Sequence, residues 1–308
     1  MSDTNFPNNT EEDGIEIVSS ENNEEDSVTT ESSSVSVEEN KKKPLPKKEI
    51  IRYILLGICV VAFIVSAVIL IRYFVEQHKL NKLYDDIENE AIDKDDSTTE
   101  FVNEESTEYV FQANNDVDFD LLTSVNEDVR GWISFPLLGI EYPFVQGIDN
   151  DFYLEHAYNK EKASGGAIYM EYRLSPDFTD SHVVLYGHNM KSYDKSMFTS
   201  LLNYDDEKFY TDNIGEHLVY IYLPDNTVRV YEVFSVTDVT QTEHDLLFYV
   251  NLPSTKTYAD YAKSVDLYDI DIDVTDDDQI LTLFTCQYGG EDKERHMVHC
   301  RLVTVINK

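Results

Sequence analysis

Residues 280–306 read ILTLFTCQYGGEDKERHMVHCRLVTVI, and this stretch decides how the rest of the chain is read. Ile280 to Thr285 is apolar, β-branched and aromatic, Gln287 to Glu294 is polar around Gly289-Gly290, and Met297 to Ile306 is again rich in apolar and β-branched residues. Such side chains suit a pleated, half-buried surface, while the glycine pair supplies a turn. The segment predicts a hairpin with Cys286 at the rim of its first strand and Arg295 at the start of its second. Similar runs occur at Ile140 to Val145, Val183 to Tyr186, Leu218 to Leu223 and Val228 to Val236, punctuated by turn signals such as Pro224-Asp225-Asn226. Short strands at near-regular spacing close into a barrel or sandwich, so the region beyond Trp132 is read as mainly β. Ser254 to Val265 is the exception, because Tyr258, Tyr261, Ala262 and Val265 share a helical face that Ser254 can cap.

Toward the N-terminus the signals become helical. Phe119, Leu122 and Val125, with Asp118 or Asp120 as N-cap, predict a short docking helix before a break at Gly131. Residues 93–115 read as an acidic linker, and Leu80, Leu83, Tyr84 and Ile87 recur at helical spacing as a stalk. Tyr53 to Ile71 carries no charge. Roughly 20 apolar residues in a helix match a hydrocarbon core of about 30 Å, so this run is read as a transmembrane helix. A cleaved secretory signal fits poorly, because the preceding segment is long and the run exceeds an ordinary h-region. Lys41, Lys42, Lys43, Lys47, Lys48 and Arg52 precede the span, which places the N-terminus in the cytoplasm by the positive-inside rule. Residues 1–40 are acidic and polar without Lys or Arg, and bury too little to order themselves. The expected organisation is a disordered tail with a basic juxtamembrane cluster at 1–49, a span at 50–73, stalk and linker at 74–116 and a catalytic domain at 117–308.

The 60 acidic against 24 basic residues give a net charge of −36, which argues against nucleic acid as a partner. Three cysteines do not make a disulfide framework, and Cys59 lies inside the apolar run. Cys300, within a strand, reads as a small buried hydrophobe. Cys286 is an inert strand-end thiol, a disulfide partner of Cys300, or a nucleophile. Arg295 opposite or diagonal to it favours the last, since a guanidinium stabilises the oxyanion formed when a thiolate attacks an amide. The leaving amine needs a proton, ordinarily from histidine. Of eight histidines, His188 follows a strand and a glycine turn, Val183 to Gly187, and so sits at a rim as Cys286 does. A solvated loop histidine remains the alternative at this point.

TLFTC at Thr282 to Cys286, Arg295 after a polar loop, and LYGHNM at Leu185 to Met190 together resemble the sortase family, particularly its class B. The similarity extends over GWISFPLLGIEYPFVQGIDNDFYLEHAY, residues 131–158, and covers about residues 117–308. The resemblance implies a closed eight-stranded β-barrel with N-terminal helices and a helix between strands six and seven, here Ser254 to Val265. It implies Cys286 as nucleophile, His188 as general acid and base, and Arg295 as the group steadying the substrate carbonyl or oxyanion, with Arg301 a weaker rival. Asn150, Leu154, Tyr186, Thr285 and Gln287 fall at positions that line the substrate groove in class B. Phe284 and Gln287 differ from the small polar and acidic residues that often flank the class B cysteine, which bears on the peptide recognised and not on the chemistry.

The implied reaction is transpeptidation. Cys286 thiolate attacks a Thr-Gly or Thr-Asn type bond in the sorting signal of a secreted protein, and an amine from a peptidoglycan precursor or a pilin lysine resolves the thioacyl enzyme. A pilin polymerase, a cysteine protease and a non-catalytic peptide-binding surface protein are the competing readings. No cofactor or metal is called for; Asp271, Asp273 and Asp276 to Asp278 read as solvated turns and not as a calcium loop.

Overall fold

In the computed structural model, which describes residues 46–93, 100–102, 110–112, 116–190, 196–240, 254–286 and 294–307, the predicted strands close on themselves. The barrel strands are β1 Val129–Phe135, β2 Ile140–Val145, β3 Ile168–Met170, β4 His182–Tyr186, β5 Leu218–Tyr222, β6 Thr227–Thr240, β7 Ile280–Cys286 and β8 Glu294–Asn307. Their order around the barrel is β6-β8-β7-β4-β3-β2-β1-β5, with β5 pairing back onto β6. Two neighbouring pairs, β2 with β3 and β4 with β7, are parallel. Closure leaves no unpaired sheet edge and encloses a core that includes Trp132, Phe144, Phe198, Tyr231 and Phe234, all fully buried. The turn from β1 to β2 passes through Pro136–Leu138 and ends at Gly139, whose φ of 64° is costly for any residue with a side chain.

The chain divides into two units, Met1–Ile58 and Cys59–Lys308. Among the described residues the first contributes Pro46 and the opening turns of α1, Lys47–Ala91, a helix of 45 residues. Most of its apolar side chains from Ile50 to Val75 are exposed, and it is long and apolar enough to cross a membrane. The acidic tail, residues 1–45, lies outside the described residues.

Within the second unit the expected stalk face is buried at Leu80, Tyr84 and Ile87, and Tyr84 donates to the carbonyl of Gly166 at 3.0 Å. The helix therefore docks on the loop between β2 and β3. Most of the expected linker lies outside the described residues, but Glu100–Val102 pairs antiparallel with Val110–Gln112, and Ile92–Asp93 with Asp116–Val117. The docking helix is α2, Phe119–Val125, and Asp118 is its cap, accepting from Leu121 N at 2.8 Å. Only Leu122 is fully enclosed, and the helix stops at Asn126, whose side chain bonds Tyr153 at 2.8 Å. After a short α3, Glu207–Asp212, helix α4, Thr255–Ser264, falls between the sixth and seventh barrel strands and is capped by Ser254. Its buried face is Thr255, Tyr258, Ala259 and Ala262; Val265 ends up exposed because the helix has already terminated there.

Tyr258 pins α4 to the barrel through a buried polar chain. Its hydroxyl lies 2.8 Å from His299 Nδ1, Thr282 Oγ1 is 3.0 Å from the same nitrogen, and Thr237 Oγ1 is 3.0 Å from Nε2. Burial, reinforced by His182 and His296, holds the His299 imidazole well below its ordinary 6.5. The unfolded chain then takes up a proton that the folded chain refuses, so this group costs no stability above about pH 6.5 and an increasing amount below it. Asp266 acts in the opposite sense: burial raises its carboxyl from 3.8 to about 6, so its contribution favours folding at low pH and is lost as pH rises through 6. Thermal scans of the detergent-solubilised chain should therefore show a flatter decline between pH 7 and 5 for His299→Gln than for wild type, from a lower starting midpoint. An unchanged slope would count against the assignment.

Candidate active site

The rim of β7 gathers the candidate residues through strand register. Across the antiparallel pair β7–β8, Cys286 stands directly opposite Arg295. Such partners lie about 4.5–5.5 Å apart at Cα, which is within reach of an arginine side chain. Cys300 stands opposite Leu281, roughly 17 Å along the strand from Cys286 at ordinary strand rise. A disulfide between them is excluded, since bridged Cα atoms lie within about 7 Å. Cys300 is fully buried, and burial together with nearby Glu232 pushes its thiol far up, away from thiolate chemistry.

On the other flank β7 runs parallel to β4, with Phe284 level with Tyr186. Gly187 N donates to Phe284 O at 3.0 Å, which carries the ladder one residue past the strand and delivers His188 to the rim where Cys286 ends. His188 is half-buried, and its Nε2 donates to the carbonyl of Leu154 at 2.7 Å. A carbonyl only accepts, so this bond assigns the hydrogen to Nε2 and leaves Nδ1 as the nitrogen with other options. A Cβ on Gly187 would lie 2.6 Å from Ile168 Cδ1 and from a Phe198 ring carbon, so the approach to His188 has room for glycine only.

A groove of about 340 Å³ opens here, and Asn150, Leu154, Tyr186, His188, Thr285 and Arg295 all line it. Six of the eight candidate residues thus share one cavity, with the backbone of Cys286 adjoining Thr285; Gln287 and the rest of the loop to residue 293 lie outside the described residues. The Thr285 hydroxyl is buried and has no hydrogen-bond partner among the described residues. Arg301 is elsewhere, opposite Ile280, with its guanidinium on Glu232 and the Asp273 carbonyl.

Asp151, Tyr169, Glu171 and Arg173 also line the groove and escaped the sequence reading. Glu171, just beyond β3, is almost wholly buried and takes Arg173 Nε at 2.7 Å, Asn150 Nδ2 at 2.7 Å and the Tyr186 hydroxyl at 2.9 Å. Burial works to raise its carboxyl, but these donors outweigh burial and hold it below the usual range. The available signal was an acidic residue closing an apolar run, AIYME, which ordinarily marks only a strand end.

For a metal, the described residues bring together Asp205, Asp238 and His296. His296 Nδ1 lies 2.9 Å from an Asp238 carboxylate oxygen and 3.3 Å from one of Asp205, so the imidazole already engages both carboxylates.

A family model described as the sortase domain matches residues 133–303. Among curated proteins the chain is 33% identical to sortase B of Listeria monocytogenes over 231 residues, covering 72% of this chain and 88% of that one. The crystal structure of Clostridium perfringens sortase B superposes with a TM-score of 0.55 at 31% identity, covering 61% of this chain and 100% of that one. Sortase B from Bacillus anthracis gives 0.57 at 28% identity over 75% and 99% of the two chains. Because the family match runs from the first barrel strand into the last, over more than half of the chain, the protein belongs to the sortase family of cysteine transpeptidases, in its class B.

Proposed function

We propose that this sortase cleaves a sorting signal in secreted proteins and joins the new C-terminus to an amine of the cell-wall peptidoglycan. It would work from the outer membrane–water boundary, with residues 1–49 cytoplasmic, 50–73 spanning the bilayer, 74–116 leading out of it and 117–308 carrying catalysis. Sortases act on sorting-signal-bearing proteins and cell-wall amines. The observation that carries the reading is the register that sets Cys286 opposite Arg295 while the parallel partner strand brings His188 to the same rim.

In this reading the Cys286 thiolate attacks the carbonyl of a Thr-Gly or Thr-Asn bond, and the carbonyl electron pair moves to oxygen. Arg295 steadies that oxyanion with directed N–H groups. As the tetrahedral adduct collapses, the C–N bond breaks and His188 gives a proton to the departing amine. An acceptor amine then attacks the thioacyl carbonyl, His188 takes up its proton, and the C–S bond breaks to return the thiolate. Leu154 holds His188 Nε2 and frees Nδ1 for these transfers. The Thr285 hydroxyl, buried and without a hydrogen-bond partner among the described residues, supports peptide binding, since an unmet hydrogen bond at this depth is costly until a ligand supplies it.

A library of short peptides containing Thr-Gly and Thr-Asn bonds, offered to the detergent-solubilised chain with a supplied amine, tests the reading. Mass analysis separates wall-type amine, lysine side chain and water as acceptors. Cys286→Ala should abolish turnover, Cys300→Ala should keep most of it, and Arg295→Lys should lower kcat roughly 100-fold. Equal activity in wild type and Cys286→Ala would overturn the proposal.

Gly187→Ala makes a second test. The added methyl must displace Phe198 or Ile168, and the strain falls on the residue preceding His188. A misplacement of about 1 Å is worth about 100-fold in rate, so the variant should lose activity by that order while Cys286 alkylation by iodoacetamide proceeds at the wild-type rate.

A further inference from the structure

Glu171 takes no part in the reaction just described, yet its side chain, only 1% exposed, lines the same groove. A buried carboxylate is a poor stabiliser, and an apolar residue of similar size usually serves the core as well or better. What distinguishes this one is the origin of its donors. Asn150 belongs to the loop that leads to Leu154, Tyr186 stands two residues before His188, and Arg173 lies two residues beyond Glu171 and also lines the groove. Asn150 is held at both ends, because its Oδ1 also accepts from Tyr172 N at 3.1 Å. Tyr186 is further confined between the Tyr169 and Phe284 rings, each with its centroid 5.1 Å away. The Arg173 side chain remains 30% exposed and gives Glu171 its Nε hydrogen, the only hydrogen bond of its guanidinium among the described residues.

We propose that Glu171 is a positioning and specificity-determining residue: it fixes Asn150 and Tyr186 as groove walls, and it cancels the charge of Arg173 so that the groove accepts an uncharged peptide side chain beside that guanidinium. This rests on the peptide-processing reading above. With the carboxylate gone, Arg173 becomes an uncompensated cation in a partly buried groove, and an acidic side chain becomes the better ligand. With the guanidinium gone instead, Glu171 repels an acidic side chain.

The test uses full-length protein in detergent and peptide pairs that differ by Asn or Asp at a single position upstream of the cleaved bond. For Glu171→Gln, the ratio of kcat/KM for the acidic peptide to that for its amide twin should rise at least fivefold at one position. KM for the amide peptide should rise severalfold, with kcat nearly unchanged. Cys286 alkylation should stay at the wild-type rate. For Arg173→Gln the ratio should fall, and the double variant should return it to the wild-type value. No change in ratio at any position in either single variant would overturn the proposal, as would activity, alkylation and melting temperature falling together in both. Fluorescence anisotropy with the same labelled pairs reads the preference without turnover. A wild type that binds but does not cleave would therefore remove the reaction and leave the Glu171 inference standing on its own result.

Discussion

Strand β7 sits between an antiparallel and a parallel neighbour, and that double pairing is the constraint on which the site depends. An antiparallel partner returns the chain to the rim that β7 has just reached, so the residue opposite Cys286 is set by the register of the β7–β8 pair. A parallel partner ends at the same rim by travelling the same way, so the residue after its glycine arrives level with the end of β7. Cys286 and Arg295, nine residues apart, and His188, about 100 residues earlier in the chain, are thereby brought to one rim by backbone hydrogen bonds. Slipping β7 by one residue against either neighbour would turn its side chains to the other face and break the alignment. The closed barrel opposes such slips, because all eight strands must shift together.

The buried polar chain of Tyr258, His299 and Thr282 bears on this constraint. It uses residues of β6, β7 and β8 together with α4, and Thr282 stands four residues before Cys286 on β7. A hydrogen bond contributes only about 1 kcal/mol net, but leaving one of these groups unmet costs more, so the network penalises any register other than the observed one. The helix between the sixth and seventh strands is, in this sense, part of what sets the position of Cys286.

Much of this could be read before any coordinates. The β7–β8 hairpin follows from a local pattern of apolar runs around a glycine turn, so the pairing of Cys286 with Arg295 was accessible. Caps were accessible too, since Asp118 and Ser254 act on backbone within three residues of themselves. Burial along helices was readable to within a residue: the face of α4 includes Tyr258 and Ala262 as expected but turns toward Ala259 and not Val265. What could not be read was non-local. Nothing in Val183 to Gly187 announces a parallel partner about 100 residues away, and only the resemblance to a family joined His188 to Cys286. Glu171 was missed for the same reason. Its donors come from positions 150, 173 and 186, and one acidic letter at a strand end does not reveal that three hydrogen-bond donors will converge on it.

The groove divides its polar groups into two kinds, and the division bears on how a peptide is recognised. Asn150, Tyr186 and Glu171 satisfy one another, so their positions are paid in full when the protein folds, and they act on a ligand mainly by shape and by the charge they cancel. Thr285 is the opposite case, a buried hydroxyl without a partner among the described residues, beside the backbone of Cys286. A group of the first kind loses nothing if the wrong peptide arrives. In the proposed reaction, a group of the second kind would gain only when a peptide presents a matching donor or acceptor next to the reacting bond. In that proposed reaction, setting the satisfied groups along the groove and the unsatisfied one next to Cys286 would let binding energy appear where the chemistry takes place, which is where differential binding raises the rate.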